Sequence, residues 1–299
     1  MYTSNVLMAF FFLSGYLYTK DNNTFSIIRK LKSIFKTIVL PYFIFTFLLS
    51  FPKNIIYNND ISLLSIVSKI LLGNASWFVT ALITAEIIYS IILKFSVHKK
   101  WVMSIIVTML FIIAILLTGN EISIHSNIWN FHNALIGLLF LYIGYLYKLY
   151  EDKFNIINNT LYISFLIITL VITKIIIYKN DIVLTVEPVI INNYLIFVVD
   201  TFISLLLMTS IFKILPNNKI LEFIGKRTLV CYFFCGAVPL ATSIIINKIG
   251  FEYENNYARV IIAFTIVCII TSGIAWFVYK FLPFTLGKKI TNSTPASSQ

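Results

Sequence analysis

Nine apolar runs, each about as long as a bilayer is thick, leave this chain few places to fold other than a membrane. They occupy residues 2–18, 34–51, 77–93, 101–118, 128–147, 160–177, 194–215, 228–246 and 258–281. A helix crosses the hydrocarbon with about 20 apolar residues, within a range of roughly 17–25. The runs are continuous rather than alternating, which excludes barrel strands of about 10 residues. Trp77, Trp101, Tyr145, Tyr147 and Tyr279 fall near run ends, where aromatic rings anchor at the headgroup level. The first run is the shortest, and the fifth opens on the mixed sequence Trp129-Asn130-Phe131-His132-Asn133. At 59% hydrophobic and 12% charged residues, the chain carries more apolar surface than one soluble core of 299 residues hides. The expected fold is all-α: a polytopic integral membrane helical bundle of about nine transmembrane helices, forming one domain over residues 1–290. The polar tail 291–299 is expected to be disordered.

The net charge of +11 has to be read against that frame of spans. In a soluble chain it would point to nucleic acid or an acidic surface. Here the basic residues sit in short loops between apolar runs. No stretch combines them with stacking aromatics, so nucleic acid is excluded as a partner. Of the 23 Lys and Arg residues, 17 lie in the loops after runs one, three, five and seven or at the C-terminal end. The other 6 are Lys53, Lys69, Lys174, Lys179, Lys248 and Arg259. Cytoplasmic loops carry the excess of positive charge. The chain is therefore expected to be a multi-pass protein of the cell (inner or plasma) membrane, with a cytoplasmic C-terminus and an external N-terminus. Few residues precede the first run and none is basic, so it does not read as a secretory signal peptide. A further helix entering from the cytoplasm is expected upstream.

Ionisable groups inside lipid are costly and mark sites. Glu86 lies midway along the third run, in Ala85-Glu86-Ile87-Ile88. It reads equally as a site facing an internal cavity or as a structural carboxyl bonded to a neighbouring helix. Asp200, about two turns into run seven, reads first as wetted near the outer surface and second as paired with a basic group. Lys174 is expected to snorkel and receives no role. Of the three histidines, His98 sits in a basic loop. His125 and His132 lie seven residues apart with no accompanying metal-ligand pattern, so no metal is expected. A base role for His132 is open, because histidine titrates near neutrality, although packing is the commoner use. Cys231 and Cys235 share a helix face, Cys268 lies apart, and an odd number in apolar runs gives no disulfide framework. The cluster Arg29-Lys30-Leu31-Lys32, with Lys36 just beyond, reads as an orientation signal near anionic lipid or as a binder of cofactor phosphates. There is no Gly-rich phosphate loop, no nucleophile elbow and no zinc-helix motif.

Several short motifs together resemble the membrane acyltransferase-3 family, nearest its fucose-4-O-acetylase-like branch of glycan O-acetyltransferases. Met8-Ala9-Phe10-Phe11-Phe12-Leu13-Ser14-Gly15-Tyr16-Leu17 is similar to the family's Met-Pro-Leu-Phe-Phe-Phe-x-Ser-Gly-Tyr, and a basic segment and Pro41-Tyr42 follow it. Ser76-Trp77-Phe78-Val79-Thr80-Ala81-Leu82 resembles a helix start, Leu-Trp-Phe-Leu-x-Ala-Leu. Tyr142-Ile143-Gly144-Tyr145 resembles Phe-x-x-Gly-Tyr. Ile224-Gly225-Lys226-Arg227-Thr228-Leu229-Val230-Cys231-Tyr232 resembles Ile-Gly-Lys-x-Ser/Thr-Leu-x-x-Tyr, and Pro283…Leu286-Gly287-Lys288 resembles the family's C-terminal end. Each is weak alone; their order and spacing along the whole chain are specific.

The resemblance implies ten helices, of which this chain shows nine, lacking the first. It implies transfer of an acyl group, usually acetyl, from cytoplasmic acetyl-CoA to a sugar hydroxyl of a surface or exported glycan. On that reading acyl-CoA is a substrate, not a bound cofactor, and the partners are a glycan or glycolipid acceptor and membrane lipid. The family's central histidine lies in the first helix. Two further family histidines appear here as Leu7 and Cys235, a proline as Ala9, and an aspartate as His132. The remaining candidates for catalytic groups are Glu86, His132 and Ser14. Arg29, Lys32 and Lys36 are the candidates for binding acyl-CoA phosphates. Two alternatives stand beside this one: a carrier or flippase for a glycan or lipid-linked intermediate, working without group transfer, and a paralogue that has lost activity.

Overall fold

The structure is a computed structural model that describes residues 4–18, 26–56, 62–96, 99–118, 127–155, 160–250 and 256–287. In chain order the helices are α1 (Ser4–Tyr16), α2 (Ile27–Ile34), α3 (Leu40–Ile56), α4 (Leu63–Leu71), α5 (Trp77–Phe95), α6 (Lys100–Thr118) and α7 (Phe131–Leu149). They continue as α8 (Glu151–Asn155), α9 (Thr160–Lys179), α10 (Tyr194–Ile214), α11 (Lys219–Gly225), α12 (Thr228–Phe234), α13 (Ala237–Lys248) and α14 (Tyr257–Phe281). This is an all-α polytopic membrane bundle, because lipid offers the backbone no partner and a helix satisfies its own peptide groups.

Among the described residues, seven helical stretches are long and apolar enough to cross a bilayer: Ile27–Ile55, Trp77–Phe95, Lys100–Thr118, Ile128–Leu149, Thr160–Lys179, Tyr194–Ile214 and Tyr257–Phe281. The eighth apolar run is a bent pair of helices. α12 and α13 meet at a bend of 49°, where Gly236 lies between them and Pro239 occupies the first turn of α13. The first run forms α1, only 13 residues long. Between α2 and α3 the helix loosens into a π turn, Phe35–Val39. It falls just before Pro41, whose missing N–H interrupts the ladder of i→i−4 bonds. The tail 291–299, His98 and His125 lie outside the described residues.

The chain divides into two compact units: Met1–Ile34 with Leu72–Pro216, and Phe35–Leu71 with Asn217–Gln299. In the first, α1 lies directly against α7. A Cβ added at Gly15 would collide with the carbonyl oxygen of Leu141, and one at Gly144 with that of Phe12. The two backbones are therefore in contact, as small residues permit when helices associate in lipid. Gly137 in turn leaves room for the ring of Phe11. Phe10 and Phe11 meet the ring of Phe78 edge-on at 5.3 and 5.7 Å, which fixes α1 against the start of α5.

The mixed opening of the fifth run is a left-handed turn, with Trp129 at φ 54° and Asn130 at φ 49°. Local hydrogen bonds hold it. Trp129 N–H donates to the Leu72 carbonyl at 2.9 Å. Asn130 Nδ2 donates to the Gly73 carbonyl at 3.0 Å and to Thr80 Oγ1 at 2.8 Å. Between α9 and α10 runs a small antiparallel hairpin, β1 (Leu184–Val186) with β2 (Val189–Ile191), pairing Leu184 with Ile191.

The second unit is built from α3, α4 and α11–α14. Tyr42 Oη donates to the Ile70 carbonyl at 2.8 Å, tying α3 to α4. Phe45 stacks on Phe233 with ring centroids 5.3 Å apart. Gly287, at φ 66°, ends the short 3-10 turn Pro283–Leu286 and lets the chain pass against the carbonyl of Lys36.

Two expectations change. Tyr145 and Tyr147 lie near the end of a run but are only 3% and 7% exposed, so they are not headgroup anchors. Tyr145 packs on Tyr89 and Tyr147 on Phe12. Asp200 is 1% exposed rather than wetted, and Lys174 turns inward to it, Nζ to Oδ2 at 2.7 Å. A carboxylate enclosed by helices needs a counter-charge more than its lysine needs the surface.

Candidate active site

Glu86 sits halfway along α5 and is 5% exposed. A carboxylate so placed must be neutral, paired or wetted. Its two oxygens are divided between two partners from elsewhere in the chain. Ser14 Oγ, on α1, donates to Oε1. Lys30 Nζ, on α2, lies 3.1 Å from Oε2. The structure thus brings together two of the candidates expected from the sequence, Ser14 and Glu86, and adds a third group, Lys30.

A second layer surrounds them. Lys30 Nζ stands 4.1 Å over the ring of Tyr18. Tyr18 Oη donates to the Glu86 carbonyl at 3.2 Å and lies 3.1 Å from Ser90 Oγ. Ser90 Oγ donates to the same carbonyl at 2.7 Å. Tyr89 packs edge-on against Tyr18, with centroids 4.9 Å apart. The buried Tyr89 hydroxyl has no partner among the described residues. Side chains on α1 and just beyond it, on α2 and on α5 therefore hold one carboxylate, one ammonium, three hydroxyls from Ser14, Tyr18 and Ser90, and an uncommitted phenol.

The sequence positions these groups in recognisable ways. Ser14 precedes Gly15, the residue that presses α1 onto α7, so its direction is set by a backbone contact rather than by a flexible side chain. Lys30 follows from helical spacing. With Ile27 and the buried Ile34 it falls on one stripe, three and four residues away, whereas Arg29 and Lys32 lie off that stripe and are exposed. A basic residue on the apolar stripe of a helix was the available signal for an inward lysine. Reading the segment as a block of loop charge misses it. Lys36 is also exposed and lies in the π turn, within the second unit.

His132 is elsewhere. It is 5% exposed, its Nε2 is 2.9 Å from the Ala114 carbonyl on α6, and its N–H donates to Asn127 Oδ1 at 3.1 Å. None of these bonds reaches Glu86 or Ser14. Of the two positions where the resemblance implies histidine, Leu7 is half-buried on α1 and Cys235 is exposed at the end of α12. Among the described residues no group of three His, Cys, Asp or Glu could hold a metal ion.

A separate charged cluster lies where α7 passes into α8. Glu151 accepts from Tyr16 Oη at 2.7 Å and from Lys148 Nζ at 2.8 Å, with Lys213 Nζ at 3.3 Å. Burial opposes its charge, but the bonds from Lys148, Tyr16 and Lys213 outweigh burial and hold its carboxyl at about 2. That cluster ties α1, α7, α8 and α10 together.

Acyl transfer requires a group that takes the acceptor's proton and donors that meet the developing oxyanion. The Glu86 cluster contains both kinds of group: a carboxylate already accepting from a hydroxyl, and an ammonium and phenols beside it. The family model for an acyltransferase domain matches residues 4–280, which takes in α1, α2, α5 and every motif quoted above up to the end of α14. No curated protein and no solved structure matches the chain. With nearly the whole length covered, the chain belongs to the membrane acyltransferase-3 family.

Proposed function

We propose that the protein is a membrane O-acyltransferase that moves an acyl group, acetyl, from cytoplasmic acyl-CoA to a hydroxyl of a cell-surface or exported glycan. The observation that carries this reading is the Ser14–Glu86–Lys30 cluster. Its residues come from α1 and α5, the two helices that bear the first two motifs of the resemblance, and from the basic segment between them. The distribution of Lys and Arg supports a cytoplasmic setting for α2. The exposed Arg29 and Lys32, within the same turn as the inward Lys30, are then suited to the donor's phosphates.

The acceptor oxygen attacks the thioester carbonyl carbon, the carbon–sulfur bond breaks, and the thiolate of CoA leaves. The acceptor's proton passes through the Ser14 hydroxyl to Glu86, and from there to the departing thiolate. Lys30 keeps the carboxylate in place and its charge balanced while the proton is in transit.

The test is labelled acetyl-CoA supplied to membranes that contain the protein, with label counted in extracted glycan. The expected result is transfer that falls about a hundredfold in Glu86→Gln, the lower range for loss of a positioned acid–base group. Equal transfer by parent and variant would overturn the role of Glu86. Glycan movement across vesicles, unaffected by acetyl-CoA and without labelled product, would replace the transferase by a carrier.

A further inference from the structure

The second unit contains a cation that the Glu86 chemistry does not use. Arg227 stands between α11 and α12, and its guanidinium is held on three sides. It lies 3.8 Å over the ring of Phe223 and 5.3 Å from the ring of Tyr279 on α14. Its Nη1 donates to the Phe223 carbonyl at 3.0 Å. The neighbouring Lys226 is neutralised by Glu222 on α11. Among the described residues, Arg227 has no carboxylate partner, and its buried Nε–H has no acceptor.

A guanidinium presents two forked edges. Here the Nη1 side is spent on a backbone carbonyl, and two aromatic rings fix the plane. The edge formed by Nε and Nη2 remains. An unsatisfied buried donor is costly, so an ordinary structural arginine would be expected to turn that edge to an acceptor of its own chain. The setting also indicates where an acceptor would come from. α11 leaves Ile220, Leu221 and Ile224 exposed next to Lys219 and Lys226, an apolar and basic surface of the kind that lies in the headgroup layer. Lys280, which follows Tyr279 on α14, stacks on Trp276 at 4.6 Å and adds positive charge without a carboxylate partner among the described residues.

We infer that Arg227 is a phosphate-binding residue, which receives the phosphate of an anionic lipid headgroup, or of a soluble phosphate ester, on its Nε–Nη2 edge. This assignment is independent of acyl transfer and uses none of the groups around Glu86.

The full chain in neutral detergent is titrated with phosphatidylglycerol, with phosphatidylcholine, and separately with adenosine 3′,5′-bisphosphate, and its melting temperature is followed. The expected result is a saturable rise with phosphatidylglycerol, much smaller with phosphatidylcholine. In Arg227→Gln the apparent affinity falls about ten- to a hundredfold, the loss of one or two charged hydrogen bonds. Arg227→Lys keeps the charge without the fork and is expected to fall between. Phe223→Leu, which keeps an apolar side chain but removes the pinning ring, is expected to weaken binding without removing it. A rise with the bisphosphate alone that Arg227→Gln removes supports the site and assigns it to a soluble ester. No rise with any probe, or a rise that Arg227→Gln and Phe223→Leu both leave unchanged, overturns it.

Discussion

The two units solve the problem of living in lipid differently. In the first, helices α5 and α7 bury 61% and 72% of their spans inside the protein, whereas α14 in the second buries 6%. The buried charge follows the packing. Glu86, Asp200 and Glu151 with their lysines all belong to the first unit. In the second, the described charges lie at or near helix ends. Polar groups are affordable only where neighbouring helices replace the partners that lipid lacks. Close packing is thus a precondition for chemistry, which explains why the candidate site lies among α1, α2 and α5.

The sharpest way to break this contrast is to separate α1 from α7. Gly144→Leu drives a side chain into the Phe12 carbonyl, and is expected to cost about 3 kcal/mol or more, the upper range for overpacking. The measurement is the melting temperature and the folded yield in detergent. A stable variant would mean that the backbone contact does not hold the unit together.

A smaller effect is expected from acid. The carboxyl of Glu151 has an ordinary value of 4.5 and is held at about 2 in the folded protein. A lowered value means stabilisation that is complete above about pH 4.5 and lost as pH falls towards 2. The melting-temperature difference between the parent and Glu151→Gln should be constant above pH 4.5 and shrink below it. Water reaches the cluster, so the contribution is on the order of 1 kcal/mol. A difference that is undiminished at pH 2 would remove the ion pairs as its cause.

The smallest effect has the opposite sign. Gly273, in the middle of α14, has open space where a Cβ would go. Gly273→Ala is expected to stabilise by about 0.5–1 kcal/mol through helix propensity alone. If it destabilises as Gly144→Leu does, then α14 is as closely packed as α7 and the contrast between the units fails.

Much of the fold was legible because lipid imposes a length and a composition on every span. Among the described residues all nine runs are helical, but seven helical stretches are long enough to span, the first run being short and the eighth bent. The bend at Gly236 and the π turn before Pro41 depend on a few backbone atoms and do not alter hydropathy, so pattern reading passes over them. Ser14 and Glu86 could be singled out as polar groups in apolar surroundings, but not as partners, since 72 residues separate them. Lys30 escaped because counting basic residues for orientation treats each as a marker of a loop. Lys174 escaped for the related reason that a lysine near a helix end is expected to reach outward. Tyr145 and Tyr147 were misplaced because position along a run says nothing about which face a ring occupies.

The pair between Lys174 and Asp200 has a consequence for biogenesis. α9 and α10 are joined only by the hairpin Leu184–Ile191 and its flanks, so they leave the ribosome as neighbours. Lys174 on α9 and Asp200 on α10 are charges of the kind that would cost about 2.5–3.5 kcal/mol each, unpaired at the centre of a bilayer. Each helix is apolar enough to span by itself, and pairing lets each of these two charges neutralise the other. The two are therefore matched to enter the membrane as one helical hairpin, with the ion pair formed before lipid closes around them.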